Sequence, residues 1–347
     1  MKDRQWVAWC VAAMAAVGSF NAIAASAPAP ATQSAVAGDV DLHATLLERA
    51  RAVAASGQPL DLLVASRLAL PSELPAQPAA STSPGQSDAW LDEAIRLGSD
   101  QPTIARAAVT RCLGGGSCDI PAAIQTLQTR ESDEVVAQLL LWRLHVAKGE
   151  TEAAGKVWIR ATQATRYVDD YAEGVALMDR ATRGGQWSAP PAGSFQGKPV
   201  DGETSRSIAV FALAAATWMP ALVDAHRQCP TNAVAEQRQQ CRQLFTTMAN
   251  SSSTVAVSLG IARMIDLSDG PAERQNWGAR KRDLAWLSTR SAELLSGGPN
   301  DASRVSLSDY LQWVGEAGEL PATRRLLARN DVAAQPPAGW EPPRIIQ

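Results

Sequence analysis

The chain has 347 residues, with 32 Lys and Arg against 35 Asp and Glu, three His, five Cys and 46% hydrophobic residues. That apolar content suffices for one large core or two smaller ones. A net charge of −3 gives no attraction for nucleic acid or an acidic membrane surface, and three dispersed His exclude a multi-His metal site.

The first segment reads as an export address. Lys2 and Arg4 precede an uncharged, mostly apolar stretch at 6–17, and Ala22-Ile23-Ala24 supplies the small-residue pattern that signal peptidase reads. Residues 1–24 are expected to be a cleaved signal peptide, with cleavage near Ala24 and a periplasmic or secreted product. A membrane-spanning helix needs about 20 apolar residues, and this run breaks at Gly18-Ser19-Phe20-Asn21. No stable span is expected after cleavage. The bulky Trp9 before Cys10 argues against a lipid anchor there.

Proline- and glycine-rich breaks organise the rest. Residues 25–38 are small, polar and Pro-bearing, and read as a disordered leader. An N-terminal helical array is expected over 39–183, interrupted by a Pro-rich linker at 71–87. A Pro/Gly-rich linker at 184–203 precedes a C-terminal helical array over 204–334, and 335–347 reads as an irregular tail. Within the arrays Ala and Leu abound and no segment sustains period-two alternation. The predicted fold class is all-α, without a substantial sheet.

Export changes the meaning of the cysteines, because an oxidising compartment joins nearby thiols. Cys112, Cys118, Cys229 and Cys241 remain after cleavage, and of three possible connectivities the short loops favour Cys112 with Cys118 and Cys229 with Cys241. There is no C-x-x-C and no His at metal-ligand spacing, so structural disulfides are expected, not a zinc or redox site.

The clearest helical spacing lies at 132–162. Val136, Leu140 and Leu144 recur every four residues after a Ser132/Asp133 start, and Ala153, Val157 and Ala161 form a second stripe after Gly149. Two such helices joined by Lys148-Gly149-Glu150 form a hairpin that must stack on neighbours to cover its apolar faces.

Residues 133–161 resemble one tetratricopeptide-type repeat. Gly149-Glu150 falls at the inter-helix turn, Ala154 and Ala161 at the family's small positions, and Trp158 at the large position between them. Trp142 departs from the pattern, standing where the first helix should carry a small residue. Fainter copies lie at 310–329, where Gly318-Glu319 echoes the turn, at 88–130 and at 238–266. The resemblance implies a degenerate, exported, bacterial-looking array of antiparallel helical hairpins, tetratricopeptide-like or an irregular superhelix. It further implies an inner groove for a peptide.

Catalytic signatures are chance matches. Gly116-Ser117-Cys118 lacks the nucleophile-elbow spacing, Gly197-Lys198-Pro199 has no following Ser or Thr, and Asp266-Leu267-Ser268-Asp269-Gly270 lacks the alternating oxygen ligands of a calcium loop. Gln128-Thr129-Arg130-Glu131-Ser132 and Gly174-Val175-Ala176-Leu177-Met178 superficially resemble two lytic transglycosylase motifs, but lie too far apart. Glu131 reads instead as part of a helix start. Asp169, Asp170 and Glu173 beside Tyr167 and Tyr171 could bind a cation or pair as general acid and base, but read as a solvated helix face or its first turn. His43 is expected to be exposed, His145 to be packed or groove-lining and His226 to end a helix. Trp90, Trp142, Trp158, Trp218, Trp277, Trp286 and Trp313 read as wedges between helices, and Trp187 and Trp340 as loop pins.

These readings converge on a protein- or peptide-binding or scaffolding module of the cell envelope, with no cofactor and no catalytic residue. Arg143 is the groove residue expected to grip a carboxylate. Two alternatives remain: a cell-wall glycan-cleaving enzyme using Glu131, and a purely structural envelope protein.

Overall fold

The computed structural model describes residues 42–69, 85–168, 170–189, 200–215, 220–296 and 303–343. The expected signal, the leader and Trp218 lie outside the described residues, as do 71–84 of the first linker and 190–199 of the second. Fifteen α-helices and no strand occur among the described residues, so the chain is all-α. No helix among them is long and apolar enough to cross a membrane.

The helices are α1 (Leu42–Ala54), α2 (Pro59–Leu68), α3 (Gly85–Gly98), α4 (Pro102–Leu113), α5 (Pro121–Arg130), α6 (Val135–Ala147), α7 (Thr151–Gln163) and α8 (Asp170–Thr182). They continue as α9 (Gly202–Ala215), α10 (Pro220–Gln228), α11 (Ala235–Ala249), α12 (Thr254–Asp266), α13 (Pro271–Ser296), α14 (Leu307–Ala317) and α15 (Glu319–Arg329). Pro opens α2, α4 and α5, where its missing N–H has no partner to lose. Ser253 and Ser306 cap α12 and α14 through side-chain oxygens.

Two boundaries differ from expectation. The first linker ends before Gly85, because the sequence after Pro84 already propagates α3. Helix α6 starts at Val135, since the Glu134 carboxylate caps it, accepting from the Val136 and Ala137 amides at 3.0 and 2.6 Å.

Neighbours in sequence pack as pairs: α4 on α5, α6 on α7, α11 on α12 and α14 on α15. Between α6 and α7 the Trp142 and Trp158 rings stand 5.1 Å apart. The turn into α15 sits at Gly318, where φ is +89°, a conformation closed to most side chains. The array is not a simple linear stack. Helix α8 packs on α2, α9 and α14, while α10 packs on α6 and α11 on α7.

The cores follow this return path. One draws Leu127, Leu139, Leu141 and Val157 together with Leu244, Phe245, Met248 and Met264. The other joins Val64, Leu68, Val175 and Met178 to Val210, Leu311, Leu326 and Leu327. Both take residues from either side of 184–203, so the two arrays share their cores.

Cys112 and Cys118 form one disulfide and Cys229 and Cys241 the other, with Cα atoms 4.8 and 5.8 Å apart. The first closes the loop between α4 and α5, and the second ties α10 to α11.

Candidate functional site

Two stretches distant in sequence, 131–134 and 164–170, are laced together. The Asp133 carbonyl accepts from the Thr165 and Arg166 amides, each at 3.1 Å, and the Val135 amide donates to the Arg166 carbonyl at 3.0 Å. The Arg166 guanidinium grips the Asp133 carboxylate through two bonds of 2.9 Å. Glu134 Oε1 accepts from the Val168 amide at 2.9 Å, so the cap of α6 also fastens this loop.

Glu134 is fully buried. Burial pushes its carboxyl up to about 7, against the pull of the Val168, Ala137 and Val136 amides, and the nearby Asp170 adds to the rise.

Beneath the lacing lies an ionic cluster. Arg106 on α4 is buried and pairs with Glu131, with Asp170 at 2.9 Å, and with Glu173. Thr103 donates a further bond to Glu173, and Arg67 on α2 acts on Asp170 and Glu173 through its field. Burial draws the Arg106 pKa down, but Asp170, Glu131 and Glu173 outweigh it and hold the guanidinium above its ordinary range. Burial lifts Asp170 as well, with Glu173 adding and Arg106 opposing.

This arrangement corrects two expectations. Glu131 does not open a helix; it follows α5 at the C-terminal cap, where Arg106 reaches it. Asp170 and Glu173 are not a solvated helix face, because Arg106 draws both inward from the first turn of α8.

Above the lacing opens a cleft of about 590 Å³, the candidate site. Thr165, Arg166, Tyr167 and Val168 form one wall, and Thr246, Thr247, Asn250, Ser251 and Ser252, from the end of α11 and the turn into α12, form the other. Thr247 ties the walls together by donating to the Ala164 carbonyl at 3.1 Å. Among the described residues, no carboxylate lines the cleft. Arg280 on α13 stands behind the second wall, donating to the Ala249 carbonyl at 2.6 Å and to Asn250 Oδ1 at 3.0 Å, its guanidinium over the Trp277 ring.

The other sequence candidates are placed as follows. Arg143 does grip a carboxylate, but it is that of Asp224 on α10, at 2.7 Å. His145 pairs with Glu150 across the α6–α7 turn, and His226 lies in the last turn of α10. The side chain of His43 and the whole of Asp169 lie outside the described residues. In the calcium-like loop Asp266 pairs with Arg263, and Asp269 with Arg238 and Arg242. No group of three potential metal ligands occurs among the described residues. Trp142 and Trp158 are buried, whereas Trp90, Trp277, Trp286 and Trp313 are half-buried. Trp187 donates to the Thr182 carbonyl, and Trp340 meets Trp286 edge-on at 5.2 Å, each pinning its loop.

Sequence reasoning missed Arg106, Glu134 and the cleft. The only local signal was a Glu directly before the apolar run Val135-Val136-Ala137, and nothing in the sequence joins 165–168 to 246–252.

No protein-family model, no characterised protein and no solved structure matches the chain.

Proposed function

We propose that the chain is an exported helical-hairpin module, tetratricopeptide-like in its repeat pattern, that holds a peptide or protein segment in the cell envelope without catalysis. The observation that carries this reading is the open cleft between the 165–168 loop and the α11–α12 turn, whose lining mixes apolar surface, including Val168 and the Tyr167 ring, with hydroxyl, amide and guanidinium groups. Its volume falls within the range of about 300–1,000 Å³ typical of ligand sites. Two disulfides are compatible with an oxidising, extracytoplasmic location.

The chemistry at Glu131 weighs against the glycan-cleaving alternative. A general acid needs a proton to give and access to its substrate. Glu131 is buried and its carboxylate is taken up by the Arg106 guanidinium, so no substrate reaches it. The groove assignment of Arg143 also loses support, because its Nε already meets the Asp224 carboxylate.

The test is photo-crosslinking in intact envelopes from positions around the cleft, such as Thr165 and Ser251. A defined cross-linked partner supports the reading. Absence of any adduct, or muropeptide release by the purified protein that Glu131→Gln abolishes, overturns it.

A further inference from the structure

We propose that Glu134 works as a proton-operated latch on the cleft, its carboxylate holding the 167–168 end of the wall to α6 and a bound proton slackening that hold. The inference goes beyond the peptide-holding reading and does not depend on it.

Five carboxylates, Glu131, Asp133, Glu134, Asp170 and Glu173, share this corner of the molecule with three guanidiniums, Arg67, Arg106 and Arg166. Arg106 of α4 bonds to Glu131, Asp170 and Glu173, and Arg166 bonds to Asp133. Arg67 of α2 lies in the field of Asp170 and Glu173, and Arg166 acts on Glu134 only through its field. Arg130 of α5 turns away to the Asp100 carbonyl, and Arg160 of α7 ends on Gln138, one turn further along α6. Among the described residues, Glu134 is therefore the acid of this group that no guanidinium touches, and it is fully buried. A buried carboxylate without a contacting cation carries the most costly charge of such a group. Its carboxyl, pushed up to about 7 by burial, exchanges its proton around neutrality.

Three amides fix what the proton changes. Oε1 accepts from Val136 at 3.0 Å and from Val168 at 2.9 Å, and Oε2 accepts from Ala137 at 2.6 Å. While the carboxylate is ionised, all three bonds are charge-assisted. A proton on Oε1 would disturb two amides, and one on Oε2 disturbs only Ala137, so Oε2 takes it. Oε1 is then a neutral carbonyl oxygen, whose bonds to Val136 and Val168 are weaker. The upstream end of the wall does not share the change. There the Thr165 and Arg166 amides bond to the Asp133 carbonyl, the Val135 amide bonds to the Arg166 carbonyl, and Thr247 holds the Ala164 carbonyl. Slack is confined to Tyr167 and Val168, both of which line the cleft. The proton also relieves the cost of a buried charge, so the folded chain gains from it even as this local hold weakens.

Amide NMR on the isotopically labelled full chain, from about pH 5.5 to 8.5, reads the latch directly. As pH falls, the Val168 and Ala137 amide protons are expected to move upfield together with a midpoint of about 7, while those of Thr165 and Arg166 stay in place. Hydrogen-exchange protection of the Val168 amide, corrected for the intrinsic pH dependence of exchange, is expected to drop roughly threefold to tenfold over the same range. In Glu134→Gln both changes are expected to vanish. Should that variant not fold, Asp170→Asn replaces it, because removing the neighbouring acid that lifts Glu134 is expected to move the midpoint to lower pH.

A Val168 amide that does not titrate, a titration that persists in Glu134→Gln, or a midpoint unmoved by Asp170→Asn overturns the inference. So does a change spread evenly over 164–168, the mark of general loosening. None of these readouts involves a ligand, so the peptide-holding reading stands or falls separately, on its cross-links.

Discussion

Glu134 and Val168 are 34 residues apart in sequence, yet a 2.9 Å bond joins the Glu134 carboxylate to the Val168 amide. One buried side chain thereby caps α6 and holds the cleft wall. Glu134→Ala is expected to cost about 1–3 kcal/mol in denaturant titration, the sum of a lost cap and an unmet loop amide.

The same residue gives a pH dependence with a definite sign. The folded chain keeps the Glu134 proton from its ordinary value of 4.5 up to about 7, a range in which the unfolded chain has released it. The contribution of Glu134 to stability is therefore greatest at the acid end and falls as pH rises through that window, by on the order of 3 kcal/mol. Glu134→Gln, which imitates the protonated form, is expected to remove this fall. Parallel denaturant titrations at several pH values, compared between the two proteins, check it.

Arg106 holds three carboxylates from α5's end and α8 in place. Arg106→Met leaves Glu131 without its partner and Asp170 and Glu173 with only the field of Arg67, and about 3–5 kcal/mol of destabilisation is expected. The deficit should shrink at acid pH, as the carboxylates accept protons. Thermal unfolding at low and neutral pH measures both effects.

The two disulfides differ in access. Cys229 and Cys241 are fully buried, whereas Cys118 is exposed. Mild reductant followed by alkylation and mass mapping is expected to label Cys112 and Cys118 first. Replacing Cys229 and Cys241 by Ser should cost about 2–4 kcal/mol, because the chain between them is no longer closed in the unfolded state.

Helices α11 and α12 touch at Gly260. A Cβ there would lie 2.5 Å from the Ala249 amide nitrogen and 2.7 Å from the Phe245 carbonyl oxygen, both backbone atoms that cannot rotate away. Gly260→Ala is expected to destabilise by about 1–3 kcal/mol despite the better helix propensity of Ala. Because the α11–α12 turn forms one cleft wall, the same variant should lower the yield of cross-links formed from Thr165 and Ser251.

The helices were legible because their signals are local. Val136, Leu140 and Leu144 mark a helix face at four-residue spacing, and Gly149 and Gly318 mark turns whose backbone few other residues adopt. The cysteine pairs were legible for a related reason, since separations of 6 and 12 residues keep the thiols close in any compact chain. The candidate site was much less so. Arg166 and Asn250 are unremarkable in sequence, and Glu131, Asp170 and Glu173 belonged to two unrelated patterns until Arg106 brought them together.

Helical periodicity, and cysteine spacing read in an expected oxidising compartment, thus pointed to an all-α chain stapled by two short disulfide loops, because both depend on residues within a few turns of one another. Tertiary structure decided that α8 returns to α2 and α14, that Arg143 turns to Asp224, and that the 165–168 loop faces the α11–α12 turn. Those outcomes depend on which apolar faces find each other across the whole chain, and on where burial leaves a charge in need of a partner. Neither is written in any single stretch of sequence.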